Sequence, residues 1–478
     1  MSIKKAAFIN MIAKYSNVFI GLIFSAIIAR LLTPHDYGIV AVVNVFTTFF
    51  MLFSDMGIGS AIVQNKSLTQ NDNNSIFSFS FVLGFLLAII FSICAFPISF
   101  FYASKHYLFI CPLLSISLFF NTINMVPNAL LLKKKKFVLV AARTVIITVL
   151  TYGITIILAL VGLKFYALVL QSVLQAIFNF IWNNYKSGLK LAKIEKSSLM
   201  KVRNFSLFQF AFDFMNYFAR NLDNLLMGHF MGQKKLGYYD KGYRMMLYPI
   251  NNLTFIISPV LHPILSDYQD NKEYIYIQYK KVVKILSIIG VYIATVSFFS
   301  SREIILIMFG NQWVPSIDCF KLLSISVWSQ MVGTTAGAIF KSLGRTDLTF
   351  KSGLIHIFIT ITMIIIGIST GSIYILAGLV AVSLLVRFFV EYYFLIKKGF
   401  KKSLLKFIAI FVPELVGGIL LSVVLYKVDY LRINNLFFSL VIKAFIAGVI
   451  YLIYLYLTKQ IKYIWMIIPN RIKNKKRR

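Results

Sequence analysis

Lys14, Asp55, Arg143, Asp213, Arg220, Asp223, Arg387, Glu391, Glu414 and Lys443 lie inside long apolar stretches of this 478-residue chain, with Arg30 and Lys321 near stretch ends. On insertion scales an ionisable group in mid-membrane costs roughly 2.5–3.5 kcal/mol, so such groups face protein or water. Asn10, Lys14, Asn17 and Gly21 recur at i, i+4, i+7 and i+11, which is one helix face. Asp213, Asn216, Arg220, Asp223 and Asn224 make a second, longer polar face. Arg220 and Asp223 are three apart and able to pair with each other, but the stripe runs on beyond them, which favours a cavity lining. Lys14 has two readings, a cavity lining or a side chain snorkelling to the interface. Arg143, seven residues past a lysine run, also has two. Arg387 and Glu391, at i,i+4, read as a self-satisfied pair, and Glu414 and Lys443 as structural or lipid-facing groups.

Cations outnumber acids within the apolar stretches, and two of the acids have basic neighbours in Arg220 and Arg387. A watery cavity with unpaired cations suits an anion, and phosphate is the natural guest of Arg and Lys. The expected cationic site is therefore Lys14, Arg30, Arg143 and Arg220. Asn10, Asn17, Asp55, Asp213, Asn216, Asp223 and Asn224 serve as polar lining or ion-coupling candidates. Phosphate-loop, nucleophile-elbow and zinc-protease motifs are all missing, and the five histidines are dispersed. Cys94, Cys111 and Cys319 have no ligand spacing, so neither a metal nor a disulfide framework is expected. No cofactor is expected; a proton or sodium gradient is the candidate driving force.

The elements that must position these residues are long apolar helices. The chain is 59% hydrophobic with mean hydropathy +0.79, and apolar runs of about 20 residues, enough to cross a bilayer, recur from end to end. The period-2 pattern of barrel strands is absent, so the spans are helical. Fourteen spans fit, from about residue 8 to about residue 458, including 38–62, 205–229, 243–265 and 319–341. The first resembles a signal peptide but is too long for one, and reads as a retained span. Of 49 Lys and Arg residues, most fall in alternate loops on the N-terminal side, which places both termini in the cytoplasm. Nucleic acid is excluded as the reason for a net charge of +33. The loop Gln233–Arg244, with Lys234, Lys235, Lys241 and Arg244, goes against this bias.

A shift of 199 residues lays the first span over the seventh, and Gly38, opening the second, over Gly237, opening the eighth. Asn10, Lys14, Asn17 and Gly21 then meet Gln209, Asp213, Asn216 and Arg220. An even number of spans separates the copies, so the repeat is parallel. The expected architecture is an all-α integral membrane protein of about 14 transmembrane helices, as two parallel-repeat six-helix lobes plus two C-terminal helices. Its parts are a lobe over 1–185, a basic cytoplasmic linker over 186–203, a lobe over 204–398, two further helices over 399–458, and a basic tail over 459–478.

Several segments occur in an order that is similar to a known family. They are Ala29-Arg-Leu-Leu-Thr-Pro-His-Asp-Tyr-Gly38, Asp55-Met-Gly-Ile-Gly-Ser-Ala-Ile-Val-Gln64, Arg220-Asn-Leu-Asp-Asn-Leu-Leu-Met-Gly228, Gly237-Tyr-Tyr-Asp-Lys-Gly-Tyr-Arg244, Pro263-Ile-Leu-Ser266, Phe309-Gly-Asn-Gln-Trp313 and Leu343-Gly-Arg-Thr-Asp347. Together they resemble the polysaccharide-transporter family, the Wzx-type lipid-linked oligosaccharide flippases. The resemblance implies the multidrug/oligosaccharidyl-lipid/polysaccharide exporter fold and alternating access. It implies flipping of undecaprenyl-diphosphate-linked repeat units, of capsule, O-antigen, exopolysaccharide or teichuronic-acid type, across the bacterial cytoplasmic membrane. Basic cavity residues would hold the diphosphate, and the matching positions are Arg30 and Arg220; Lys14 and Arg143 rest on the residue argument. Expected partners are the lipid-linked glycan, membrane lipids, and a polysaccharide polymerase with its export machinery. The alternative is a cation- or proton-coupled drug exporter of the same fold. A membrane glycosyltransferase is disfavoured, because no loop is long enough for a catalytic domain.

Overall fold

Helices account for every regular element among the described residues. The structure, a computed structural model, describes residues 3–65, 67–254, 265, 268–269, 271–430 and 433–463, with side chains from Lys14 onward except at 203–209, 211–213, 215–216, 218–220 and 346. Two compact units divide the chain, Met1–Gly237 and Tyr238–Arg478.

The first unit holds α1 (Ile3–Leu31), α2 (Pro34–Asp55), α3 (Ile58–Gln64), α4 (Gln70–Ile93), α5 (Ala95–Phe101), α6 (Tyr107–Lys133), α7 (Phe137–Leu160), α8 (Phe165–Ser187) and α9 (Lys196–Phe230). Local chemistry sets where they start and stop. Thr33 opens α2 as a capping box, its Oγ1 accepting from Asp36 N at 3.3 Å while Asp36 Oδ2 accepts from Thr33 N at 2.9 Å. Pro34 follows at a position where its missing N–H costs nothing. Thr69 and Asp72 repeat the device at the start of α4. The expected single span over 38–62 is broken, because Met56 and Gly57 both adopt positive φ, 40° and 72°, which ends α2 and restarts the chain as α3.

Within this unit α6 is central, packed along α4 and α8, with α1 lying along α7. The core at one end gathers Ile62, Ile76, Phe77, Val126, Leu130 and Val202. The segment 188–195, the first half of the expected linker, is not free. The backbone N–H groups of Lys190, Ala192 and Glu195 donate to side-chain oxygens of Asn74, Ser78 and Ser75 on α4. The other half belongs to α9, where Ser198 and Lys201 grip buried Asp72 at 2.7 Å and 2.8 Å.

α10 (Gln233–Thr254) begins in the first unit. A Cβ at Gly38 would lie 1.7 Å from the Gln233 carbonyl oxygen, and one at Gly237 would lie 1.9 Å from that of Pro34. The two contacts are reciprocal, since Pro34 and Gln233, like Gly38 and Gly237, stand 199 residues apart. Glycine is required at both because no side chain fits between backbones so close.

The second unit contains α11 (Lys272–Phe299), α12 (Ser301–Phe309), α13 (Pro315–Ser324), α14 (Val327–Gly333), α15 (Ala336–Ser342), α16 (Thr346–Ser369), α17 (Ile373–Tyr392), α18 (Leu404–Ile408), α19 (Val412–Asp429) and α20 (Leu436–Leu457). The helix over 319–341 expected from hydropathy is three short helices, interrupted by turns at 325–326 and 334–335. The last two long helices are pinned by buried charge. Lys284 of α11 meets Glu414 of α19 at 2.6 Å, and Lys443 of α20 reaches Glu303 of α12 and Asp429 of α19.

Among the described residues, eleven helices or helix pairs are long and apolar enough to cross a membrane. Of the fourteen expected stretches, 319–341 is not among them, while 205–229 and 243–265 run in part through residues outside those described. Turns at 325–326 and 334–335 interrupt 319–341. Bare apolar side chains such as Phe85, Phe96 and Ile157 in the first unit, and Phe358, Ile419 and Phe445 in the second, cover the outward faces. Surfaces this apolar belong against lipid. The chain is a multi-pass membrane protein.

Candidate functional site

Arg143 projects from α7 toward α6 and α8. Its Nη1 donates to Asn128 Oδ1 of α6 at 3.0 Å and to Asn183 Oδ1 of α8 at 2.7 Å. Asn183 is fully buried, and its Nδ2 donates in turn to Asn124 Oδ1 at 2.8 Å. Asn124 and Asn128 are one helical turn apart, so a single face of α6 supplies both oxygens. The Arg143 Nε is enclosed without a hydrogen-bond partner, and among the described residues no carboxylate lies within ion-pair range of this guanidinium. Arg143 is thus anchored by neutral oxygens and keeps its charge.

Lys14 and Asn17 are half-buried on α1, and the Asn17 side-chain oxygen is enclosed without a partner. Phe24 of α1 stacks on Tyr152 of α7 with ring centroids 5.4 Å apart. Three crossings separate these two helices in the chain, so they run parallel if successive spans alternate in direction. Nine residues back along each, about 13 Å, come Tyr15 and Arg143. With the two helices parallel, Lys14 and Arg143 stand at about one level.

The remaining expected residues divide differently. Arg30 is exposed in the last turn of α1. Asp55 is exposed at the end of α2, where its Oδ1 accepts from Gly59 N at 3.3 Å, so it helps to begin α3. Asp223 is buried, its Oδ1 accepting from Asn224 N at 2.8 Å. The side chains of Asn10, Asp213, Asn216 and Arg220 lie outside the described residues. Arg387 and Glu391 approach at 3.8 Å as an i,i+4 pair. Glu414 and Lys443 have structural partners rather than a lipid face.

The basic loop that went against the charge bias is partly accounted for. Lys241 is buried, with Nζ 4.6 Å from the Phe309 ring centroid and 5.4 Å from that of Trp313, and Arg244 pairs with Asp240 at 2.6 Å. Aromatic faces attract a cation, so these charges hold the unit together. Lys402, from the basic cluster after α17, is taken up similarly: the Glu273 carboxylate at 2.6 Å holds its ammonium above the usual lysine range.

Sequence reasoning did not single out Asn124, Asn128 and Asn183. The signal was present, two asparagines at i,i+4 in an apolar helix, but nothing local linked them to Arg143. Lys284, Lys201 and Asp72 were missed for the same reason.

The comparisons agree with this architecture. Over 453 residues, 92% of each chain, the protein is 21% identical to an uncharacterized membrane protein in the cps region of Klebsiella pneumoniae. It is 23% identical to the lipopolysaccharide biosynthesis protein WzxC of Escherichia coli, covering 73% of this chain and 71% of the relative. Identity is also 23% to the teichuronic acid biosynthesis protein TuaB of Bacillus subtilis, over 72% of both. In fold it is similar to the lipid II flippase MurJ in an inward closed conformation, with TM-score 0.75, 15% identity, and 96% of this chain and 100% of that one covered. A multidrug resistance MATE family transporter in an inward-facing conformation follows at TM-score 0.59 and 14% identity, covering 80% and 97%. Residues 27–318, more than half of the sequence, match the polysaccharide biosynthesis protein family, and the chain belongs to that family.

Proposed function

We propose that this protein is a flippase, translocating an undecaprenyl-diphosphate-linked oligosaccharide repeat unit across the bacterial cytoplasmic membrane by alternating access. The observation that carries the reading is Arg143, a guanidinium within the helices of the first unit, held by amide oxygens and not neutralised. A charge kept unpaired at that depth is costly unless it has an anionic guest, and the diphosphate is the one strong anion of such a substrate. Lys14 at the same level adds a second cation. Relatives with biosynthetic names, among them a succinoglycan biosynthesis transport protein of Rhizobium meliloti, support a polysaccharide precursor as cargo. The fold likeness to a lipid II flippase supports the same class of motion.

The finer architecture belongs to the same proposal. Fourteen crossings, with α9, α10 and the three helices α13–α15 completing the eleven apolar ones, form two six-helix lobes and two further helices. The reciprocal glycine contacts at an offset of 199 residues support the parallel repeat. The basic loops put both termini in the cytoplasm. Arg30 and Arg220 join Lys14 and Arg143 as diphosphate ligands during the cycle, and a proton or sodium gradient drives it.

Deleting the gene in its host, then complementing with wild type or Arg220→Ala, tests the function. Deletion is expected to abolish surface polysaccharide and to accumulate lipid-linked repeat units on the inner leaflet. Wild type restores export, and Arg220→Ala, inserted at normal levels, does not. Intact surface glycan in the deletion strain would sink the proposal.

A further inference from the structure

A guanidinium offers two planar edges for paired oxygens, and Arg143 has one of its terminal nitrogens already taken. Nη1 donates to Asn128 at 3.0 Å and to Asn183 at 2.7 Å. What is left is the opposite edge, Nε and Nη2, whose two N–H bonds point the same way and match two oxygens of one phosphate. Nε has no hydrogen-bond partner although it is enclosed, and Nη2 makes no hydrogen bond to any described residue. An unsatisfied buried donor of this kind calls for an explanation. The choice of anchor is the second clue. Carboxylates at the same distances would hold the guanidinium more firmly, yet would cancel its charge. Two asparagines, Asn128 and Asn183, hold it without doing so, and Asn124 fixes Asn183 so that its oxygen, not its nitrogen, faces Arg143.

Resting on the flippase reading above, we infer that Asn124, Asn128 and Asn183 are positioning residues that present the Nε–Nη2 edge of Arg143, charge intact, to the diphosphate of the substrate. They do not touch the lipid-linked glycan. Their task is to orient the fork and to keep the site cationic. The substrate enters with a local movement that uncovers Nε, which is covered in the present state, while Nη1 keeps its two asparagine partners.

The decisive change is Asn128→Asp, which keeps the shape of the side chain and puts a carboxylate 3.0 Å from Nη1. If the asparagines merely knit three helices together, Asn128→Asp strengthens the knit and binding is unaffected. If they preserve charge for an anion, binding is lost although the protein is at least as stable. The full-length protein is placed in nanodiscs of neutral lipid and titrated with undecaprenyl diphosphate, inorganic diphosphate and phosphatidylglycerol, with the thermal midpoint followed in parallel. Wild type is expected to bind undecaprenyl diphosphate, with inorganic diphosphate competing and phosphatidylglycerol far weaker. Asn128→Asp should weaken this binding about tenfold or more with an unchanged or raised midpoint, and Asn128→Ala, which leaves the charge, only about threefold. Arg143→Lys, which retains charge but not the fork, should also lose about tenfold.

Wild-type affinity in Asn128→Asp overturns the inference and leaves the flippase reading standing. Equal losses in Asn128→Asp and Asn128→Ala, both with lowered midpoints, make the asparagines structural and overturn it as well. Phosphatidylglycerol binding as tight as undecaprenyl diphosphate assigns the edge to bulk lipid headgroups and overturns the substrate assignment. Failure of the wild type to bind undecaprenyl diphosphate would remove the flippase reading itself, and the inference with it.

Discussion

Lys284 and Glu414 show how a buried charge becomes structural. The Glu414 side chain has no exposure, and Lys284 meets it at 2.6 Å while also donating to the Ile410 carbonyl at 2.6 Å. Removing one partner strands the other in a medium that cannot solvate it. Glu414→Leu is expected to cost about 3–5 kcal/mol, whereas Glu414→Leu with Lys284→Met recovers most of that loss. Thermal unfolding of the purified protein in detergent separates the two, and a double variant as unstable as the single one would contradict the account. Arg143 differs because its partners are amides, so it brings a charge to the site rather than cancelling one. Its own residue type was legible in the sequence as a mid-span cation, but not the chemistry around it.

Among the elements, α2 and α10 depend on glycine in a way that hydropathy does not reveal. A methyl group at Gly38 or Gly237 would fall within 2 Å of a backbone carbonyl oxygen, and backbone cannot rotate aside as a side chain does. Gly38→Ala and Gly237→Ala are each expected to destabilise the first unit by about 1–3 kcal/mol. Gly21, on the polar face of α1, has open space around its missing Cβ. Gly21→Ala is expected to be neutral, or stabilising by up to about 1 kcal/mol through helix propensity. Comparing the thermal midpoints of the three variants tests both statements, and a Gly38→Ala variant as stable as wild type refutes the close approach. The sequence placed both glycines at corresponding points of the proposed repeat, and their close approach gives both the same physical requirement. It did not foresee the break at Met56–Gly57 or the turns within 319–341, because a hydropathy window averages over a kink of two residues. Nor did it foresee that 188–195 is strapped along α4, since the donors are backbone N–H groups that every sequence possesses.

Over the whole molecule, charge distribution makes a claim about direction. If the basic loops mark the cytoplasm, single cysteines at two exposed lysines should label from opposite sides. In a background without Cys94, Cys111 and Cys319, Lys164→Cys is expected to react with an impermeant maleimide in intact cells. Lys135→Cys should react only after permeabilisation. The reverse pattern would invert the topology and, with it, the direction assigned to transport.

From its sequence alone this protein was legible as a polytopic helical membrane protein with cations at unusual depth, because hydrophobic length and charge bias are properties of the chain read in order. The ordered family segments were legible too, and several prove to be helix starts and tight packing points: Thr33 to Asp36 as a capping box, Lys241 over Phe309 and Trp313, and Arg345 bidentate on Asp347. Only the tertiary structure decided which charges cancel. Lys284 and Glu414 are 130 residues apart, and Arg143 and Asn183 are 40 apart. Whether a charge in a membrane span meets a carboxylate or an amide depends on which helix faces pack together. That is settled by the shapes of entire helices, not by spacing along one of them.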